Sequence, residues 1–223
     1  MVPRIDLHIH SEFSPCSKDT NVQGIVSMAE ARGLEKIAIT DHGAVRRPRW
    51  LSDYFSEIGR ARRSTDIDVL TGMEVNIRPD GTLAVDDDIL RNLDIVIGAL
   101  HSLPIWEIVR KKSILEEYRT VLLRALEVSS FRILAHPTNL LWNKRIPSDM
   151  ADIIMRRLKE EGVVVEMNYN HRDPSLEFLR RCVNAGVAIT PSSDAHRLMD
   201  IGHFEWFEQQ LAQIKEPVSW IQI

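Results

Sequence analysis

Two histidines lie one residue apart near the start of the chain, within the segment IDLHIHS at residues 5–11. Side chains at positions i and i+2 of an extended chain point to the same face. His8 and His10 can therefore reach one metal ion at the end of a strand, provided that other strands bring carboxylates and further imidazoles to the same place. The segment thus predicts one part of a metal site.

Residues of the same chemical types end the other predicted strands. Six of the eight histidines, with one glutamate and one aspartate, fall at the carboxyl ends of predicted strands: His8, His10, His42, His101, His136, His196, Glu74 and Asp194. Taken alone, each fits a hydrogen-bonded polar residue at a strand end at least as well. Together they are far more concentrated than random placement would make them, so they predict one shared metal centre.

Four other polar residues near strand ends have weaker assignments. Glu166 and Asn168 are in phase on the sixth predicted strand, so either can support a metal ligand by hydrogen bonding. His171 lies in a polar turn and His203 at the start of the last predicted helix. Both histidines therefore fit surface or capping roles.

Predicted strands and helices alternate along the chain. The strands fall at 5–11, 36–40, 66–74, 94–99, 132–137, 163–167 and 187–190, and the helices at 22–32, 51–63, 114–128, 148–161, 174–185 and 201–214. Several strands are continuously apolar, which is typical of a parallel sheet buried on both faces. The PDG sequence at 79–81 predicts a hairpin turn, and 218–221 predicts an edge strand or a flap over the bottom of the core.

The positions of the candidate ligands favour a closed sheet over an open one. An open α/β sheet gathers its site at a switch point between a few strands, whereas candidate ligands here end strands one, two, three, four, five and seven. Only a closed ring makes all of those ends neighbours. We therefore expect a single α/β domain over residues 1–223, folded as a TIM-like barrel of seven parallel strands.

The composition is that of an ordinary globular protein and excludes several classes. The chain has 223 residues, 44% of them hydrophobic and 27% charged, with a net charge of −4. That charge gives no general footprint for nucleic acid or an anionic membrane. Two cysteines do not make a disulfide framework and suit a reducing compartment, and no apolar run approaches membrane-spanning length. We expect a cytoplasmic protein without a membrane partner.

Six short motifs, in this order, resemble those of the polymerase and histidinol phosphatase (PHP) family of metal-dependent phosphoesterases. They are DLHIH at 6–10, TDHG at 40–43, GMEV at 72–75, His101, AHP at 135–137 and SDAHR at 193–197. The resemblance covers nearly the whole chain. It implies a distorted (β/α)7 barrel with its active site at the carboxyl ends of the strands, and two or three divalent metal ions.

The resemblance also implies which residues hold each metal. A first metal would take His8, His10, Glu74 and Asp194. Glu74 would bridge to a second metal, held by His101 and His136. A third would take His42 and His196 with Cys16, which stands where many relatives with three metals have a histidine. Since a thiolate binds zinc, the third site either survives with altered metal preference or is weak, with Cys16 as a loop thiol.

Mixed imidazole and carboxylate ligands suit zinc, manganese or iron better than calcium or magnesium. A metal-bound water has its pKa lowered from 15.7 to roughly 7, which supplies hydroxide for attack at phosphorus. Either Asp41 or a metal-bound water would protonate the leaving group. Arg197 resembles a phosphate contact of the histidinol phosphatase branch, and Arg172 is a second candidate; the alternative for both is a solvated surface charge.

We therefore expect a phosphoesterase that acts on a small phosphorylated metabolite. Histidinol phosphate is one candidate substrate, and a nucleotide or short oligonucleotide is another. Two alternatives remain from other classes: an amidohydrolase-type metal hydrolase, which would usually show a bridging lysine and a lone final aspartate, and an accessory PHP module of a polymerase. The oligomeric state is not indicated by the sequence.

Overall fold

The structure, a computed structural model, describes residues 1–104, 109, 113–142 and 144–223. Seven parallel strands form one sheet in which each strand pairs with the next along the chain. The strands are β1 (Ile5–Ile9), β2 (Lys36–Ile39), β3 (Asp68–Asn76), β4 (Ile95–Ala99), β5 (Ile133–Leu134), β6 (Val164–Asn168) and β7 (Ile189–Ser192). The predicted number, order and direction of the strands are confirmed.

The helices lie in the connections between these strands, except for the last one, which follows β7. They are α1 (Val22–Ala31), α2 (Leu51–Ala61), α3 (Asp87–Leu90), α4 (Ile114–Val128), α5 (Ser148–Glu160), α6 (Leu176–Ala185) and α7 (Glu205–Leu211). The single turn α3 was not predicted. None of these helices is long and apolar enough to cross a membrane.

Local signals account for where several elements begin and end. The Asn21 side chain accepts a hydrogen bond from the backbone of Gly24 and so caps α1. Gly33, with φ of +66°, follows the end of that helix. The predicted turn at 79–81 is confirmed, since the chain reverses there and Ile77 forms an antiparallel bridge with Leu83.

The last helix is shorter than the predicted range of 201–214. The backbone of Gly202 donates to a carboxylate oxygen of Asp6 at 3.2 Å, and Gly202 has φ of +70°. These features tie the segment before Glu205 to β1 instead of continuing a helix through it. The prediction failed because helical periodicity carries no information about a hydrogen bond to a distant strand.

Strands β1 and β7 close the barrel through a few contacts. Ile9 and Ala195 form an isolated parallel bridge, and the backbone of His10 donates to Ala195 at 3.0 Å. Lower in the seam, Asp6 accepts a hydrogen bond from the backbone of Ser193 at 2.8 Å. Burial raises the pKa of Asp6 to about 6 in spite of this hydrogen bond. The result is a nearly closed, TIM-like (β/α)7 barrel, as expected.

The apolar core has two parts. The larger part lies between the strands and the surrounding helices, where the apolar faces of those helices pack. The smaller part contains no helical residue and fills the inside of the barrel: Leu7, Ala38, Ile95, Ile97, Ala99, Ile133, Ala135, Val164 and Ile221. The barrel is thus a packed core below its site and not an open channel.

The C-terminal segment covers the bottom of the barrel. Ile221 donates to the backbone oxygen of Ile189 at 3.0 Å, at the first residue of β7. Lys36, the first residue of β2, donates to the backbone oxygen of Ile223, and Arg132, just before β5, donates to that of Gln222. The expected flap is therefore present, and Ile221 joins the inner core.

Candidate metal centre

The carboxylate of Glu74, near the end of β3, is 2% exposed and is approached by imidazoles on both of its oxygens. Its Oε2 atom lies 2.9 Å from His42 Nδ1 and 3.6 Å from Nε2 of both His8 and His10. These three histidines follow or belong to β1 and β2. One oxygen of Glu74 therefore faces the histidines of the first two strands at the mouth of the barrel, that is, at the carboxyl ends of its strands.

The other oxygen of Glu74 faces the histidines that follow β4 and β5. Oε1 lies 3.2 Å from His101 Nε2 and 2.9 Å from His136 Nε2. The Nδ1 atom of His101 is hydrogen-bonded to Asn76 at the end of β3, which turns Nε2 toward Glu74. The geometry thus brings together the residues expected for a second metal, with Glu74 between them and the first group.

Asp194 closes the first group from the side of β7. Its Oδ1 atom lies 3.1 Å from His10 Nε2 and 3.6 Å from His8 Nε2. Asp194 has φ of 53° and His136 has φ of 28°. These positive values are rare for residues other than glycine. Such strained residues cluster at functional sites, where the surrounding structure holds them.

The third group of expected ligands is only partly assembled. Ligand atoms of His10, Cys16 and His42 all lie within 4.8 Å of one another. His196 is beside them, with its ring centroid 4.5 Å from that of His10, and its Nδ1 atom donates to the backbone oxygen of Asp194 at 2.8 Å. Burial raises the pKa of the Cys16 thiol, so a bound cation is what would favour its thiolate form.

Glu166 and Asn168, on β6, support these residues from below. Glu166 Oε1 accepts from His8 Nδ1 at 2.8 Å, and its Oε2 accepts from the backbone of His136 at 2.7 Å. The Asn168 amide donates to Glu166 at 2.9 Å and to Asp194 Oδ2 at 3.1 Å. One carboxylate and one amide thus orient members of both expected metal groups, as their shared phase on the strand predicted.

The approach of His8 to His10 does not come from a regular strand. The pairing of β1 with β2 shifts register between Asp6 and Ile9. Leu7 accordingly belongs to the inner core and Ile9 to the outer one, although a regular strand would place them on one face. The two Nε2 atoms nevertheless lie 3.2 Å apart. The sequence correctly predicted that His8 and His10 lie together, but it predicted a regular strand where the structure has a register shift.

The electrostatics of the centre favour a cation. Burial alone would raise the pKa of Glu74, but His8 and hydrogen bonds from three other imidazoles hold it well below its usual range. The pKa of Asp194 is likewise held below its usual range by His8 and His10 against the effect of burial. Among the described residues, histidines are the only basic partners of the two carboxylates. The centre therefore stabilises added positive charge.

The donor set itself tests whether a metal ion fits. Because Glu166 accepts from His8 Nδ1, the neutral His8 ring carries its lone pair on Nε2. That atom faces His10 Nε2 and oxygens of Glu74 and Asp194 at 3.2–3.6 Å. No lysine or arginine of the described chain pairs with these atoms. Two imidazoles and two carboxylates so arranged suit zinc, manganese or iron.

The three expected catalytic residues lie in different surroundings. Asp41 is wholly buried, and its two oxygens accept hydrogen bonds from the backbone and hydroxyl of Ser11 at 2.8 and 2.5 Å. Asp41 therefore fixes the loop after β1, and this geometry gives no support to its expected role as a proton donor. Arg197 is exposed at the start of the turn after His196.

Arg172 lies at the mouth, in the turn after β6. Its guanidinium carbon is 3.8 Å from the centroid of the Tyr169 ring and 5.5 Å from that of Trp206. These contacts hold the charged group by cation–π attraction. Arg172 has φ of 55°, which also fixes the direction in which its side chain leaves the turn. It is thus the better positioned of the two arginines to contact an anion.

One residue of the centre was missed. His171 was expected on the surface and is exposed there, but its Nε2 atom also lies 3.3 Å from Asp194 Oδ2, and its ring centroid lies 5.0 Å from that of His136. Its position in a polar turn hid it, because nothing in the local sequence shows that this turn folds over the mouth. The available signal was its place after β6, because β6 is the one strand of the seven that has no expected ligand at its end.

A cavity of about 800 Å³ opens beside the centre, with His101 and His171 on its wall. Its charged lining residues are Lys144, Arg145, Arg172, Arg181, Asp173 and Glu177. Asp173 is hydrogen-bonded to the backbone and hydroxyl of Thr138, and burial raises its pKa to about 6. Trp142, 82% exposed, stands at the edge of the cavity. The centre therefore adjoins a cationic pocket of substrate size.

A TIM-like barrel that gathers imidazoles and carboxylates at the carboxyl ends of its strands has the form of a metal-dependent hydrolase. The sequence profile of the PHP domain matches residues 6–170. The chain belongs to the PHP family, which confirms the resemblance and the expected enzyme class, a phosphoric ester hydrolase.

The chain is similar in sequence to two curated proteins and in fold to one solved structure. A probable phosphatase of Acetivibrio thermocellus is 29% identical over 97% of this chain and 89% of that protein. The DNA polymerase/3'-5' exonuclease PolX of Bacillus subtilis is 28% identical over 86% of this chain and only 34% of that protein. The histidinol phosphate phosphatase of Lactococcus lactis, solved with zinc, L-histidinol and phosphate, has a TM-score of 0.74 over 98% of this chain and 96% of that chain, at 19% identity.

Proposed function

We propose that this protein is a metal-dependent phosphatase that hydrolyses a phosphate monoester of a small metabolite. The observation that carries the proposal is the convergence of imidazole nitrogens on both oxygens of the buried Glu74 carboxylate. Two carboxylates in such a cluster need positive charge nearby, and hydrolysis of a phosphate ester needs the same charge on the phosphoryl group.

The residues divide into three candidate ligand groups. His8, His10, Glu74 and Asp194 would hold one divalent cation, and Glu74 would share a second with His101 and His136. His10, Cys16 and His42, with His196 beside them, lie where a third would bind. Bound cations supply Lewis acidity and an activated water at neutral pH.

The chain itself contributes orientation and charge. Glu166 holds a proton on His8 Nδ1, so that His8 Nε2 faces the centre, and Asn168 fixes Glu166 and Asp194 together. Arg172, held over Tyr169, would bind the phosphoryl group from the cavity side. These groups would be in position before the substrate arrives, which lowers the cost of orienting it.

The cavity favours a neutral or anionic leaving group. Glu177 is paired with Arg145 at 3.0 Å and Arg181 at 3.5 Å, and Asp173 is occupied by Thr138. The described lining therefore offers no free carboxylate to an ammonium group. L-Histidinol phosphate, suggested by the similar Lactococcus lactis barrel, is the second candidate; we expect it to be a poorer substrate than esters that carry a further anionic group.

Metal content and ester hydrolysis test the proposal together. Protein purified without added metal is analysed for bound ions and assayed with p-nitrophenyl phosphate and bis-p-nitrophenyl phosphate, before and after chelation and refilling with manganese or zinc. We expect at least two ions per chain, turnover lost on chelation and restored on refilling, and preference for the monoester. One ion or none, with no turnover of either ester, would overturn the phosphatase.

The same experiment addresses the two alternatives. Preference for the diester would move the activity toward nucleic-acid ends, as in a polymerase-associated PHP module. An amidohydrolase would hydrolyse amide or lactam substrates and leave both esters intact. Since histidines are the only described basic partners of the two central carboxylates, no lysine of the described residues stands where such an enzyme would use one as a bridge.

A further inference from the structure

His171 stands at the centre without a role in the ligand groups described above. It lies in the turn after β6, and its backbone N–H donates to the side-chain oxygen of Asn168 at 2.9 Å. The amide of the same Asn168 donates to Glu166 and Asp194. The turn that carries His171 is thus fixed by the residue that orients the rest of the centre.

The His171 ring lies among side chains of the types that bind metals. Its Nε2 atom lies 3.3 Å from Asp194 Oδ2, and ligand atoms of His136, His171 and Asp194 all lie within 4.8 Å of one another. The ring is only about one-third exposed, on the wall of the cavity. A histidine with a purely solvated role would not turn its nitrogen into a buried carboxylate.

Asp194 then repeats the arrangement of Glu74. Glu74 has one oxygen toward His8 and His10 and the other toward His101 and His136. Asp194 has Oδ1 toward His8 and His10, and Oδ2 toward His171. Each carboxylate therefore lies between imidazoles of the first group and imidazoles on the cavity side.

We propose that His171 is a further metal ligand, and that with His136 and Asp194 it binds the cavity-side cation, beside Glu74 and His101. This inference rests on the proposed function, because it assigns a residue to the second cation of that centre. It predicts that the cavity-side cation has a ligand from the turn after β6 as well as from the ends of β5 and β7. The phosphoryl group would then meet this cation beside Arg172, the next residue along the turn.

Cobalt titration of the metal-free protein tests the assignment without relying on turnover. Co²⁺ is added to the wild type and to His171→Ala and His171→Gln, and the visible absorption and the number of ions bound are followed. His171→Gln keeps a hydrogen-bond donor for Asp194 but lacks the imidazole nitrogen. His203→Ala is the control, since His203 stacks on Tyr169 outside the centre.

We expect both His171 variants to bind one equivalent of Co²⁺ about 10- to 100-fold more weakly, with a changed visible spectrum, while His203→Ala matches the wild type. Wild-type affinity and spectrum in His171→Gln would overturn the inference, because His171 would then only orient Asp194. A wild type that binds no cation would instead overturn the proposed function. Circular dichroism of each variant verifies that the barrel is folded.

Discussion

The two ends of the barrel are built on opposite principles. At the bottom, Ile221 fills the space inside the strands with apolar side chains around it, and the chain ends there in backbone hydrogen bonds. At the mouth, Glu74, Asp194 and Glu166 are buried carboxylates among imidazoles. The backbone of His136 and Asp194 is also strained there.

The contrast separates stability from function. Burying apolar area at the bottom stabilises the fold, whereas burying carboxylates at the mouth costs stability unless positive charge compensates them. Substitutions at the bottom should therefore change unfolding and leave chemistry intact. Substitutions at the mouth should change the chemistry, and their effect on stability should depend on the charge that they remove.

The largest effect is expected at Glu74. Glu74→Gln keeps the shape of the side chain but removes the charge that both groups of imidazoles share, so kcat/KM for p-nitrophenyl phosphate should fall about 10³-fold or more. Glu127→Gln, on an exposed face of α4, is the matched control. Near-normal turnover in Glu74→Gln would exclude a shared metal centre.

At the bottom, Ile221→Ala should give the opposite result. Truncating this buried side chain leaves a hole in the inner core and should lower the free energy of unfolding by about 2–4 kcal/mol, measured by urea denaturation. Ile223→Ala, at an exposed position, should change it by less than about 0.5 kcal/mol. At temperatures where Ile221→Ala is folded, its KM and kcat should equal those of the wild type. A large loss of turnover there would show that the two ends are not independent.

The sequence predicted this division for a physical reason. Parallel strands of a barrel all end at one rim, so residues such as His10 and Asp194, distant in sequence, had to meet once the strands were placed. Apolar strands such as β4 likewise had to be buried on both faces. What it could not predict depends on how loops and irregular strands fold back: the inward turn that carries His171, the register shift in β1, the hydrogen bond that shortens the last helix, and the burial of Asp41 under Ser11.

The cost of burial at the mouth should be visible in the pH dependence of stability. The pKa of Asp173 is raised by burial from 3.8 to about 6 in the folded protein. Well below pH 4 the group is protonated in both states. Between pH 4 and 6 the unfolded state has lost the proton that the folded state keeps, so stability falls as pH rises, by on the order of 3 kcal/mol from this group.

Asp173→Asn should remove that part of the slope, since an amide can satisfy Thr138 without titrating. The measurement is urea denaturation of metal-free protein from pH 4 to 7, compared between wild type and variant. Asp6, whose pKa is raised in the same direction, is present in both proteins and cancels in the difference. Asp152→Asn, at an exposed position, should leave the slope unchanged. Parallel profiles for Asp173→Asn and wild type would contradict the argument.

A smaller effect on metal binding is expected at Glu166, which holds the candidate ligands by hydrogen bonds. Glu166→Gln leaves a single acceptor for the three donors that Glu166 now serves, including His8 Nδ1 and the backbone of His136. The affinity for Zn²⁺, measured by calorimetry on metal-free protein, should fall about 10- to 100-fold. Glu160→Gln, at the exposed end of α5, is the control. Unchanged affinity would mean that the rings of the centre are held by packing alone.

The smallest effect separates the two candidate phosphate contacts. Both arginines are exposed, but Arg172 is held over Tyr169 at the cavity wall, whereas Arg197 lies on the β7 side of the mouth. Arg172→Ala should raise KM for p-nitrophenyl phosphate about three- to tenfold with a smaller change in kcat, the loss expected for one charged hydrogen-bond donor. Tyr169→Leu should give an intermediate KM, because the guanidinium would lose its support but not its charge. If Arg197→Ala raises KM more than Arg172→Ala does, the phosphoryl group enters from the β7 side, and the cavity beside His171 would hold the leaving group alone.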